Sequence, residues 1–471
     1  MSDLILLSAP LAGDKLPGGL CPSLSNITLG SYIRSQGVDV SILDPSVDLD
    51  ETEGDTSSTK TLLDRITEKV LSESPKIVGI ACLSPIEGRF GAAMAKALKH
   101  HQPDLPVVLG GIWATACGED ILHRCPEIDA VVAGPGEQAA LILAQHGLSE
   151  PDSIPGLIWR DRDKIRTNPP AEKLATAPPA DLTLLRHPER YDIFCWLTSR
   201  GCPYHCTFCT ERLTSPGLTH NTLDRVAADI QSFAAMEKSW YLWICDPLFG
   251  VSRSRLSETC KLLAETPLQF LAESRVDVLH PDDVPLLSAA GCDLIYFGLE
   301  AVGHRSLCEL QKIDERSIRH KKYLDGARAL VEACLRNNIL PVLGILQPVP
   351  GDTPEDLAET LVFLEELASI ADRLGDSANG LGPCFYAFPL RFDRGAPYDE
   401  KSDHLTKCGV TYTPTSDPLF EDRYLSSASP SVDAATADKF REAVRTLNPQ
   451  SDYVRQRLLR SYPRPYVKFD V

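Results

Sequence analysis

The sequence has no apolar run approaching the roughly 20 residues that a membrane-spanning helix needs. Its first residues, Met1-Ser-Asp-Leu-Ile-Leu-Leu7, lack the basic segment of a secretory signal and read as a strand. Both absences point to a cytoplasmic protein outside the membrane. A basic excess is missing too: the net charge is −18, which argues against a large nucleic-acid footprint. The 15 cysteines are odd in number and scattered. In a reducing compartment such cysteines are thiols or metal ligands, not a disulfide frame. There is no Walker loop, Gly-x-Ser-x-Gly elbow or zincin helix. No Gly-x-Gly-x-x-Gly follows the first strand, which argues against dinucleotide binding.

What is present is a globular composition, 43% hydrophobic and 24% charged, over 471 residues. That length suits two or three domains. One stretch organises the whole: Ser199-Arg-Gly-Cys-Pro-Tyr-His-Cys-Thr-Phe-Cys-Thr210. Cys202, Cys206 and Cys209 are spaced C-x3-C-x2-C. Three thiolates on one loop can hold three irons of a 4Fe-4S cluster and leave the fourth open to a small molecule. A zinc site usually needs a fourth ligand, often from a second C-x2-C pair, and no such second pair occurs.

Before that loop, strands are expected over 4–9, 38–44, 76–82, 105–111 and 128–134, with helices over 26–35, 62–71, 91–100 and 119–125. Strand–helix alternation implies a parallel doubly wound sheet, whose ligands sit beyond the strand carboxyl ends. Gly110-Gly111 and Gly134-Pro-Gly136-Glu137 lie at those ends, where glycine lets backbone approach a ligand. Residues 148–191 carry Pro151, Pro155, Pro169, Pro170, Pro178 and Pro179 and read as an extended linker, with 156–160 a small hairpin strand.

From Phe194 a six-fold strand–helix rhythm follows. Strands are expected over 194–199, 240–246, 268–274, 293–300, 340–346 and 383–388. Helices are expected over 222–236, 253–264, 282–290, 318–337 and 354–371. Six units make a partial barrel, since the full version has eight. Asp246, Glu273, Arg275, Glu300 and the Pro348-Val-Pro-Gly-Asp-Thr353 turn fall at strand carboxyl ends, the default place for site residues. The alternative is that Arg275 and Glu300 simply pair with each other at the barrel rim. His205 and His304 are read as structural or solvated. Beyond 388 the rhythm breaks. Helices are expected over 434–447 and 452–459, and the aromatic tail 461–471 suits packing over the barrel mouth.

The cysteine loop, with Phe208 before its last cysteine, resembles the signature of the radical S-adenosylmethionine (SAM) enzymes. The strand-end glycines resemble the cobalamin-binding domain that precedes the radical SAM core in one large subgroup. The resemblance covers residues 1–390. It implies an α/β fold: a Rossmann-like cobalamin-binding domain at 1–147, the linker at 148–191 and a partial (β/α)6 radical SAM barrel at 192–390. Beyond it, the broken rhythm reads as a small, mostly helical cap at 391–471 that sets substrate specificity.

By the same resemblance SAM chelates the open iron and is held by Phe208, Asp246, Arg275, Glu300 and Pro350. Cobalamin lies against Gly110, Gly111, Gly134, Gly136 and Glu137, with Cys82 or Ser84 as the polar position after the third strand. The first loop, 9–22, has no histidine, so no histidine from it would ligate cobalt. The implied reaction is cobalamin-dependent methyl transfer to a poorly activated carbon of a small, secondary-metabolite-like substrate. An electron donor such as flavodoxin or ferredoxin would reduce the cluster. Non-methylating radical chemistry, such as cyclisation, rearrangement or oxidation, is an alternative, and a non-catalytic cobalamin sensor or carrier is another. Methylthio transfer to RNA fits less well, because that family carries a different N-terminal domain.

Overall fold

The computed structural model describes residues 3–11, 18–49, 58–174, 176–236, 241–449, 451–461 and 463–469. Its N-terminal unit is built on a sheet of order β2-β1-β3-β4-β5-β6-β7. The first five strands, β1 (Leu4–Leu7), β2 (Ser41–Leu43), β3 (Ile77–Ala81), β4 (Val107–Gly110) and β5 (Ala130–Val132), are parallel. Strands buried on both faces read as continuous apolar runs, and all four residues of β1 are buried. Leu4 and Leu6 pack with α1 (Leu24–Ser35) and α6 (Glu137–His146) on one face. Ile5 and Leu7 pack on the other with α3 (Thr59–Ser72), α4 (Pro85–His101) and α5 (Ile112–Arg124). A short α2 (Pro45–Asp48) follows β2.

The hairpin strand expected over 156–160 is present: β6 (Leu157–Asp161) and β7 (Lys164–Thr167) form an antiparallel hairpin, and it joins the edge of β5. Helix α6, unexpected from the sequence, supplies Ala139, Ala140 and Leu143 to the core.

The second sheet has the order β15-β14-β13-β12-β11-β8, parallel throughout. Its strands are β8 (Ile193–Trp196), β11 (Tyr241–Ile244), β12 (Gln269–Ser274), β13 (Cys292–Glu300), β14 (Leu340–Ile345) and β15 (Cys384–Ala387). This is the open six-stranded barrel that the rhythm implied. Trp240, expected at the start of its second strand, lies outside the described residues. A two-residue pair, β9 (Ser199–Arg200) with β10 (Thr219–His220), brackets the cysteine loop. The outer helices are α7 (Leu223–Ala234), α8 (Arg253–Ala264), α9 (Val284–Ala289), α10 (His304–Glu309), α11 (Ser317–Arg336) and α12 (Pro354–Leu374). The first of these helices seats Phe233 against Phe194 and Trp196, with ring centroids 4.7 and 5.8 Å apart.

The remainder comprises α13 (Ser402–Lys407), the strand pair β16 (Thr411–Tyr412) and β17 (Leu425–Ser427), α14 (Ala434–Thr446) and α15 (Asp452–Ser461). The tail does not close the barrel mouth. Tyr466 bridges to Leu11, Pro463 bridges to Gly19, and Phe469 packs on Phe90 at 5.3 Å. An aromatic segment buries itself on whatever apolar surface its chain can reach, and here that is the N-terminal unit. Residues 417–421 do the same: Phe420 meets Trp113 at 5.7 Å, and Arg124 donates to Asp417 at 2.6 and 2.8 Å. No described helix is long and apolar enough to cross a membrane.

Candidate functional site

A cavity of about 430 Å3 opens at the carboxyl ends of β3, β4 and β5 and runs inward along the sheet face beneath α1 and α6. Gly110, Gly111, Gly134, Gly136 and Glu137 all line it. A Cβ built at Gly110 would meet nothing nearer than the Val132 carbonyl at 3.9 Å, so it would project into free space. The slot is apolar within, walled by Leu4, Leu6, Gly79 and Val108, and polar at its mouth. Glycine edges and an apolar interior suit the tail of a cobalamin. The opposite wall belongs to the barrel unit and includes Leu197, Arg200, Glu211, Cys245 and Pro247. The two units therefore share this space.

Several expected contacts fall elsewhere. Cys82 is wholly buried, its sulfur turned into the core 3.6 Å from the Glu87 carbonyl. Ser84 spends its hydroxyl on Glu87 Oε2 at 2.9 Å. Neither lines the cavity. The side chain that does is Leu83, which is 46% exposed. Successive residues of an extended segment face opposite ways, so a one-residue misjudgement exchanges core for cavity. Glu137 lines the cavity but is ion-paired with Arg200 and buried at its rim.

The cysteine loop is gripped from several sides. Buried Thr207 takes the Leu310 carbonyl at 3.1 Å through its amide and the Glu309 carbonyl at 3.1 Å through its hydroxyl. Gly201 sits at φ 78°, and a Cβ there would come within 1.9 Å of the Gly217 carbonyl oxygen, so only glycine fits. Asp246, fully buried, accepts from the Thr198 amide and hydroxyl at 2.6 and 2.5 Å and from the Ser199 amide and hydroxyl at 3.0 and 2.7 Å. That carboxylate accepts four hydrogen bonds from the chain itself, so it positions the loop.

Arg275 and Glu300 do not pair with each other. Arg275 clamps Asp277 at 2.8 and 3.0 Å, donates to the Lys312 carbonyl at 2.7 Å and reaches Cys206 Sγ at 3.6 Å. Its guanidinium also lies 3.9 Å over the Tyr204 ring. Burial opposes its charge, but Asp277 outweighs burial and raises its pKa above the ordinary value. The guanidinium thus supports the cysteine loop, placed beside one of its sulfurs. Glu300 ends β13 at φ 64°, where the register with β14 slips, and it meets Lys312 Nζ at 3.0 Å. Non-glycine residues hold such a backbone only where surrounding structure enforces it, often at functional sites. Lys312, not foreseen in the sequence, is buried and lies 5.8 Å from the Phe208 ring.

The Pro350 turn is fixed by Asp352, which accepts from Val349 N at 2.7 Å, Ser306 Oγ at 2.7 Å and Gln347 Nε2 at 3.2 Å, and from Arg305. Pro354 then opens α12 behind a capping box of Thr353 and Asp356. Inside the barrel, Glu273 accepts from Trp243 Nε1 at 2.9 Å, and burial pushes its carboxyl up to about 7.

Among the described residues no three His, Cys, Asp or Glu side chains converge on a single-ion position. A cubane cluster makes a different demand, spreading its protein sulfurs over separate corners. The loop fits that demand, with three thiols and Arg275 beside one sulfur. Burial raises the Cys202 thiol and pushes Cys209 up to about 11. Metal binding would have to draw off those protons.

A second cavity, of about 220 Å3, adjoins the first through Leu83 and Ile112. It lies between Trp113 of the N-terminal unit, Thr210 of the cysteine loop, and a charged segment that includes Arg391, Asp393, Asp422 and Arg423.

Fold and site together define a two-unit α/β protein with a cobalamin-type domain ahead of a radical SAM barrel. Residues 17–144 match the B12 binding domain family, and residues 196–364 match the Radical SAM superfamily. The chain thus carries a B12 binding domain ahead of a radical SAM domain. It is 25% identical to the uncharacterized methyltransferase PH0819 of Pyrococcus horikoshii, over 77% of each chain. It is 26% identical to an anaerobic magnesium-protoporphyrin IX monomethyl ester cyclase of Rubrivivax gelatinosus, over 63% of this chain and 55% of that one. Its fold matches the radical SAM methyltransferase TsrM from Kitasatospora setae, solved with cobalamin and a 4Fe-4S cluster, with a TM-score of 0.69 and 19% identity. That match covers 96% of this chain and 92% of the other.

Proposed function

We propose that this chain is a cobalamin-dependent radical SAM methyltransferase acting on a poorly activated carbon of a small molecule. The observation that carries the reading is the shared cavity. One wall presents the strand-end glycines of the N-terminal unit, and the facing wall presents residues that flank the cysteine loop. Reaction between two cofactors needs one enclosed space, because positioning supplies much of the rate.

In this reading Cys202, Cys206 and Cys209 hold the cluster, and Phe208, Glu300 and the Pro350 turn border SAM. Gly110, Gly111, Gly134 and Gly136 admit cobalamin, with no histidine from the first loop beneath cobalt. Those cofactors supply a carbon radical and a methyl group when bound. The chain supplies confinement: Asp246 and Thr207 fix the loop, Arg275 keeps positive charge beside Cys206, and Lys312 compensates Glu300. Substrate would enter the smaller cavity under the segment that carries Arg391 and Asp422. That segment would set specificity in a cytoplasmic biosynthetic enzyme served by a flavodoxin or ferredoxin.

PH0819 and TsrM are both named as methyltransferases, which favours methylation. The cyclase relative keeps a non-methylating radical reaction as the second reading. Anaerobically reconstituted protein, given SAM with a deuterated methyl group and candidate substrates, should transfer the label to product. SAM cleavage to 5′-deoxyadenosine with product formed but unlabelled would instead establish the second reading.

A further inference from the structure

Three cysteines outside the cluster loop meet where the two units join. Cys21 lies in the stretch before α1, Cys195 in β8, and Cys245 directly after β11. The Cys21 and Cys195 sulfurs are 3.4 Å apart. Cys195 lies on the strand paired with β11, which Cys245 directly follows, and Cys245 lines the larger cavity. All three residues are partly accessible.

This contact is held by backbone on either side of it. Asp192 and Ile193, at the start of β8, donate their amides to the Leu20 carbonyl at 2.8 and 3.0 Å. Leu20 returns its own amide to Asp192 Oδ2 at 3.0 Å. The segment bearing Cys21 is therefore tied to the first barrel strand beside Cys195. A thiolate metal centre is not what the trio forms, since no three such side chains converge on a metal position among the described residues.

We propose that Cys21 and Cys195 are an interdomain dithiol that closes to a disulfide when a low-molecular-weight disulfide, RSSR, enters the larger cavity. The two sulfurs need only move from contact to the bonded separation of about 2.05 Å. Cys245 faces the cavity and meets the reagent first. Its thiolate breaks the RSSR bond and releases one RSH, leaving a mixed disulfide. Cys195 displaces the second RSH from Cys245, and Cys21 then displaces Cys245 from Cys195. In sum, one S–S bond breaks and one forms, two thiol protons leave with two RSH, and the protein pair is oxidised as RSSR is reduced. The bond would fasten the N-terminal unit to the barrel beside the shared cavity. The Cys21 thiol is raised well above the ordinary value by its hydrogen bond to Cys195 and by burial, so exchange is slow at neutral pH. The proposal does not depend on which reaction the chain catalyses.

The test uses the full chain with its cluster in place and its cobalamin slot left open, incubated anaerobically with glutathione disulfide, blocked with iodoacetamide, digested without reduction and mapped by mass spectrometry. The expected result is a peptide pair joined through Cys21 and Cys195, released by dithiothreitol and formed several-fold more slowly in Cys245→Ser. Cys195→Ser should leave Cys21 alkylated, and Cys21→Ser serves if that variant does not fold. Complete alkylation of both Cys21 and Cys195 after treatment, or linkage of either only to cysteines outside the trio, would overturn the assignment. An unchanged rate in Cys245→Ser would overturn the relay.

Discussion

Glu137, at the first position of α6 in the N-terminal unit, is ion-paired with Arg200, two residues ahead of Cys202 in the barrel unit. Both side chains are largely withdrawn from water, at 5% and 16% exposure. Removing one partner of a buried pair strands the other charge, at a cost of about 3–5 kcal/mol. Arg200→Met should therefore lower the thermal unfolding temperature clearly. The double variant Arg200→Met, Glu137→Met should recover most of that loss. Additive losses in the double variant would show that the pair does not couple the two units.

The cluster assignment makes a stoichiometric prediction. Anaerobic reconstitution should give about four irons per chain, the content of one cubane cluster. Replacing Cys202, Cys206 and Cys209 together by alanine should remove that iron and the visible absorption with it. Iron retained by the triple variant would sink the assignment.

The two cofactor sites should be separable. Gly110→Leu would fill the slot whose emptiness the glycine preserves, and should abolish cobalamin retention through gel filtration while SAM binding persists. Glu300→Gln should weaken SAM binding and spare cobalamin. Glutamine is the better choice here, because its amide oxygen can still accept from Lys312, whereas alanine leaves that buried ammonium with no acceptor there. Loss of both cofactors from either folded variant would require a different site model.

Stability should also report on a buried carboxyl. Burial pushes Glu87 up to about 7 from an ordinary 4.5, against hydrogen bonds from Ser84 and Tyr466. The folded state therefore keeps a proton that the unfolded chain gives up. This contribution is complete below about pH 4.5 and is lost as pH rises through about 7. Chemical denaturation across that window should show stability falling, and Glu87→Gln should flatten part of the fall. An identical slope in the variant would assign the dependence to other groups.

Much of this architecture could be read in advance because its signals are local. The three cysteines declare themselves by spacing, and the barrel strands by apolar runs between helical repeats. Gly110 and Gly134 were legible because glycine at a strand end has few other reasons to be there. What stayed hidden depends on contacts distant in sequence. Asp246 was recognisable as a strand-end carboxylate, but nothing near it announced Thr198 and Ser199 as its partners. Lys312 belongs to no strand end, and only the fold brings it to Glu300. Cys82 and Leu83 show how a strand-end register is lost by a single residue. The β6 strand was legible between its prolines, but its pairing with the edge of β5 was not, since that partner is distant in sequence.

Tyr466 donates to the same Glu87 that holds the Leu83 amide at 3.0 Å, and Arg464 reaches back across 446 residues of chain to the Gly18 carbonyl. During synthesis the first sheet can form long before those partners leave the ribosome. Its rim around Leu83, where both cavities meet, cannot be finished until they arrive. Contacts so far apart in sequence form late. The clasp therefore puts completion of the nascent N-terminal unit under the control of the chain's distal end, and a chain interrupted before residue 463 would carry a formed barrel beside an unfinished cavity rim.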